Sequence, residues 1–192
     1  MQSARWIVPS LLALALVAVG AAPALAGSHE GVTMPDNVTV EGTSLVLNGM
    51  GLREATMFKV DVYVAGLYLE KKSSNGDAIV KARSAKRIHL QFKRDVDRDD
   101  MVKALEGAFN KNAGSKKSAL SGEMKTFKSW LTKLDEGDTM TFSYAPDKGL
   151  MVDINGKRKG TIAGDDFASV IFAGWLGKNA TDKDLRKQLL GR

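Results

Sequence analysis

The run from Met57 to Leu69 constrains this chain most. Its side chains alternate, yet both parities are apolar: Phe58, Val60, Val62 and Val64 on one, Tyr63, Ala65, Leu67 and Leu69 on the other. Asp61 interrupts the second set. A strand that is apolar on both faces must be covered on both faces, so it belongs in the middle of a sheet. Lys86 to Lys93 alternates through Ile88, Leu90 and Phe92 and reads as a second strand with one wet face. Val38 to Val40 and Ser44 to Asn48 are shorter β-type runs. Between them and the central strand, Gly49-Met50-Gly51-Leu52-Arg53 reads as a glycine-rich turn ending in a charge. Gly27 to Asp36, polar with one proline, reads as a loose start.

The period then changes from two to 3.6. Met101, Leu105, Ala108 and Phe109 fall at helical spacing behind Asp97, Asp99 and Asp100, acids that suit a helix N-terminus. Leu120, Met124, Phe127, Leu131 and Leu134 mark a second amphipathic helix, closed by Gly137. Asp138 to Tyr144, Leu150 to Ile154 and Lys157 to Ala163 form a β-meander, with Asn155-Gly156 suited to a type I′ hairpin. Asp165 or Asp166 caps a helix through Trp175, and the box Thr181-Asp182-Lys183-Asp184 opens a last helix to Leu190. Strands, two helices, strands and two helices make an α+β fold: an antiparallel sheet with helices on one face.

Met1 to Ala26 reads as a secretory signal. Arg5 precedes an apolar run from Ile7 to Gly20, and Ala24-Leu25-Ala26 supplies the cleavage pattern. That run is short of the ~20 residues a membrane span needs. The expectation is cleavage, release into a periplasm or the medium, no stable membrane anchor, and one domain from Gly27 to Arg192. A monomer is the default.

The chain has no cysteine, which excludes a disulfide framework, a thiolate metal site and a cysteine nucleophile. His29 and His89 are the only histidines, and neither has a partner at metal or triad spacing. Asp95-Val96-Asp97-Arg98-Asp99 with Glu106 has the spacing of a calcium loop, but Asp100 stands where the turn needs glycine. No metal and no cofactor are expected. Basic clusters at Lys81 to Arg87, Lys111 to Lys117 and Lys157 to Lys159 lie on different elements. The net charge of +6 is therefore read as solvated surface, and no nucleic acid is expected.

Arg53 is the side chain with the most chemical promise. At the junction before the central strand it can point between sheet and helices, where its planar fork would hold a carboxylate or enolate. The plainer reading is a surface arginine with its stem on apolar neighbours.

Leu47-Asn48-Gly49-Met50-Gly51-Leu52-Arg53, followed by Phe58 to Glu70, resembles the opening of the chalcone isomerase-like family. Asp166-Phe167-Ala168 through Gly174-Trp175-Leu176-Gly177 to Leu189-Leu190-Gly191 resembles its closing helices. The resemblance implies an open-faced β-sandwich, a long antiparallel sheet packed by helices with a ligand cleft between them. In the plant isomerases of this fold an arginine, two threonines or serines, a tyrosine and an asparagine line the cleft. Arg53 matches the arginine. Tyr63 falls at the strand threonine, Arg98 at the tyrosine, Leu105 at the asparagine and Gly174 at the late threonine, so the polar network does not carry over. The remainder matches the fatty-acid-binding branch, in which an arginine and a nearby tyrosine hold a carboxylate. Tyr63 and Tyr68 are the candidate partners, and their opposite parity puts at most one in the cleft. Three readings stay open: a non-catalytic binder of a small amphipathic or fatty acid, an isomerase of the intramolecular lyase type with Arg53 as its catalytic residue, and a structural protein whose cleft its own aromatics fill.

Overall fold

The computed structural model describes residues 26–55 and 59–192. The leader read over Met1 to Ala26, all but its last residue, lies outside them, as do Met57 and Phe58 of the central run. Nine strands and five helices follow in the order β1 (Ala26–His29), β2 (Val32–Pro35), β3 (Asn37–Val40), β4 (Thr43–Ala55), β5 (Val60–Leu69), α1 (Gly76–Lys81), β6 (Lys86–Phe92), α2 (Arg98–Asn112), α3 (Ser121–Trp130), β7 (Thr139–Ala145), β8 (Gly149–Ile154), β9 (Lys157–Ile162), α4 (Asp165–Leu176) and α5 (Lys183–Leu189) among the described residues.

Strands β3 to β9 form one antiparallel sheet in sequence order. The helix α1 is inserted between β5 and β6, and α2 and α3 between β6 and β7, while Asn155 (φ 50) and Gly156 (φ 71) make the expected tight turn between β8 and β9. The central run is β5, paired on both sides by β4 and β6. Its second half is buried throughout, as two-faced apolarity requires.

The two faces are covered differently. Ala65, Leu67 and Leu69 of β5 meet the helices in a core that includes Leu90, Phe127, Phe142, Phe167 and Phe172. Val64 and Tyr68 face the other way, against Val32 and Met34 of the β1–β2 hairpin. The segment expected as a loose start is thus a two-stranded cover. Its Val32 and Met34 alternate inward, and a second face that apolar needs a lid.

Three further details depart from the sequence reading. Gly49 and Gly51 lie inside β4, not in a turn. A Cβ at Gly49 would meet the Gln188 and Leu189 carbonyls, and one at Gly51 would meet the Gln188 and Leu185 side chains. The glycines are there because α5 rests almost on the strand backbone. The helix α3 stops at Trp130, and Leu134 instead pairs with Val96 in an isolated bridge. The caps also shift by a residue: Gly164 precedes α4, and Asp182 rather than Thr181 caps α5.

Candidate functional site

Between the sheet and the helices lies a cavity of about 590 Å³. That is within the ~300–1,000 Å³ usual for small-molecule sites. Strands β5, β6 and β7 supply Tyr63, Leu90, Phe92 and Phe142 to its floor. The helix α2 presents Met101, Leu105 and Phe109, and α4 closes the space with Ile171, Gly174 and Trp175. Of the aromatics that could fill the cleft, Phe109 and Trp175 line the cavity, while Phe127, Phe167 and Phe172 pack in the core beside it. Phe127 stacks edge-on with Phe142 and Phe167, and Phe142 tilts against Trp175 at 5.0 Å between centroids, which leaves the space beside them open. Lys103 and Ala104 on the exposed flank of α2 also line it, so the cavity reaches solvent there.

Arg53 and Tyr63 stand directly opposite each other in the β4–β5 register, on the helix-facing side of the sheet. Both line the cavity. The Tyr63 hydroxyl accepts a hydrogen bond from Trp175 Nε1 at 3.1 Å. Its own proton has no acceptor among the described residues, which leaves the hydroxyl able to donate as well as accept. Burial raises the Tyr63 pKa; the Trp175 hydrogen bond and the Arg53 charge oppose that shift without cancelling it. The phenol therefore stays protonated at neutral pH.

Arg53 is largely covered, with its side chain 23% exposed. Its Nη1 lies 3.0 Å from Asp182 Oδ2 and also donates to the Glu54 carbonyl. The other oxygen of Asp182, Oδ1, accepts from the backbone N–H groups of Asp184 and Leu185, which caps α5. One carboxylate thus ties the arginine to the start of the last helix. The Nε and Nη2 groups of Arg53 have no acceptor among the described residues.

Tyr68 lies on the opposite face, in the core under the β1–β2 hairpin. The structure therefore brings Arg53 together with Tyr63 and not with Tyr68. Of the other positions that the family resemblance singles out, Leu105 and Gly174 line the cavity. Arg98 does not; its guanidinium donates to the Leu131 and Lys128 carbonyls. The Gly174 position is tight, since a Cβ there would sit 3.2 Å from Ala108 Cβ. The calcium-like run is otherwise engaged: Asp95 accepts from the Glu136 N–H and pairs with Lys133. Among the described residues no three His, Asp or Glu side chains gather as a metal site.

Sequence reasoning missed Trp175 as the partner of Tyr63 and Asp182 as the partner of Arg53. Each pair spans more than a hundred positions. The local signal at Asp182, a helix cap, says nothing about what its second oxygen holds.

Comparison with known proteins agrees with this architecture. A family model described as chalcone isomerase-like matches residues 26–191. Among solved structures, the chain is similar to the crystal structure of a fatty-acid binding protein of Arabidopsis thaliana. The TM-score is 0.68 at 19% identity, covering 86% of this chain and 96% of that one. No curated protein matches the chain significantly.

Proposed function

The chain belongs to the chalcone isomerase-like family, and from that premise we propose that it is a non-catalytic binder of a fatty acid or a similar amphipathic acid. The acyl chain lies in the cavity beside Leu90, Phe92, Leu105 and Phe109. The carboxylate takes the Nε and Nη2 edge of Arg53 and the Tyr63 hydroxyl proton. The observation that carries this reading is a cross-strand donor pair, Arg53 and Tyr63, on a cavity whose walls are mostly apolar apart from the charged residues Arg94, Asp95, Asp100, Lys103 and Lys111.

The energetics suit such a ligand. Each methylene removed from water contributes ~0.8 kcal/mol. Hydrogen bonds to the charged head add ~1.5–3 kcal/mol. The chemistry of an isomerase is less well served. Leu105 and Gly174 border the cavity at two of the positions that the resemblance assigns to the polar network of the plant enzymes. The solved relative named as a fatty-acid binding protein supports binding. With the leader read at its N-terminus, the protein would do this work after export, in a periplasm or the medium.

Native mass spectrometry and calorimetry with saturated fatty acids test the proposal. One acyl ligand per chain is expected, and Arg53→Ala should weaken acids more than the matching alcohols. A protein that takes up no acyl ligand, whether co-purified or added, overturns it.

A further inference from the structure

The Arg53 guanidinium is not waiting alone for an anion. Asp182 already occupies Nη1 at 3.0 Å, and its side chain is only 17% exposed. Two consequences follow from charge. The pair is neutral as a unit, so Arg53 itself attracts an anion much less than a lone arginine would; the other charges lining the cavity are Arg94, Lys103 and Lys111 against Asp95 and Asp100. A ligand carboxylate on the remaining Nε and Nη2 edge would also lie within one guanidinium width of a second carboxylate, and like charges that close disfavour each other. The neighbouring Tyr63 proton carries no such bias: it donates to a neutral carbonyl or hydroxyl as readily as its geometry allows.

We propose that Asp182 is a specificity-determining residue that damps the preference of the cavity for anionic heads, so that neutral amphiphiles with a hydroxyl or carbonyl head compete with fatty acids for the same space. This inference rests on the cavity's being the ligand site and goes beyond it by naming the head-group class. Asp182 acts through Arg53 and does not touch the acyl chain.

The geometry allows a clean variant. Asn and Ser cap helices about as well as Asp, so Asp182→Asn and Asp182→Ser keep α5 in place while removing the negative charge. Thermal denaturation first checks that both fold. Calorimetry then compares a fatty acid with the alcohol of equal chain length on the unaltered protein and both variants. The expected result is an acid affinity raised about tenfold in the variants, with alcohol affinity nearly unchanged. An unchanged acid-to-alcohol ratio overturns the role of Asp182 while leaving the binding site standing. So does weaker acid binding, which would make Asp182 a mere positioner of Arg53. If neither ligand binds the unaltered protein, the binding function itself falls, and this inference with it.

Discussion

Replacing Gly49 with alanine should unseat the last helix. The added methyl would lie 2.4 Å from the Gln188 carbonyl oxygen and 2.7 Å from that of Leu189. Both are backbone atoms, so no rotamer change relieves the contact. Ordinary van der Waals contact begins near 3.4 Å, and the end of α5 must therefore retreat by about 1 Å. The Leu189 carbonyl is also held by Asn48 Nδ2 at 2.7 Å, and Leu185, Leu189 and Leu190 are buried beneath the helix. Overpacking costs ~1–3 kcal/mol, and straining that hydrogen bond adds ~1 kcal/mol. The expected loss is about 2–4 kcal/mol, or a Tm lower by roughly 5–15 °C for a chain of this size. Gly122→Ala is the control. It lies in α3, where an added Cβ meets nothing within 4 Å, so it should be neutral or stabilise by up to ~1 kcal/mol. Urea denaturation followed by circular dichroism measures both. A Gly49→Ala protein as stable as the unaltered chain, or a Gly122→Ala protein equally damaged, would refute the idea that close helix approach dictates these glycines.

Lys86 offers a pH test. It is buried, donates to the Ile79 and Ala82 carbonyls at the end of α1, and lies 4.8 Å from the centre of the Tyr144 ring. Burial lowers its pKa to about 8 from 10.5, against the pull of Asp165 and Glu70. Between those values the unfolded chain keeps a proton that the folded one has released, so stability rises with pH, by about 2 kcal/mol from about pH 7.5 to about pH 9.5. Lys86→Met should abolish the rise; an equal slope in that variant assigns it elsewhere. Above pH 10 the buried Tyr63, whose pKa is raised, opposes the trend. The two tyrosines separate just as sharply. Tyr63→Phe should weaken fatty-acid binding several-fold and cost ~1–3 kcal/mol of stability by leaving the Trp175 N–H unpaired, whereas Tyr68→Phe should leave binding unchanged. Titrations of both variants check this, and equal effects on binding would mean that the ligand is not in this cavity. Removing two methylenes from a saturated ligand should weaken binding about fifteenfold; a flat chain-length series would place the acyl chain outside. Ring closure of a chalcone, followed by absorbance, should run no faster with the protein than in buffer, and a rate that Arg53→Ala abolishes would restore the isomerase reading.

Much of this molecule is legible in its sequence. The two-faced apolarity of the run from Met57 to Leu69 places that strand inside the sheet, because side chains alternate strictly and each face must find cover. The Asn155-Gly156 turn and the helical periods of α2 and α4 were equally plain, since local backbone preference and hydrophobic spacing act over a few residues. Parity alone also restricted the cleft to one of Tyr63 and Tyr68. Folding settled what depends on distant partners. The β1–β2 hairpin became a cover only because the far face of the sheet needed one. The glycines at 49 and 51 proved to be strand positions because α5 lies against them. Above all, the state of Arg53 was beyond local inference: whether a guanidinium is free or neutralised depends on which carboxylate the folded chain brings within 3.0 Å, and Asp182 is a neighbour in space, not in sequence.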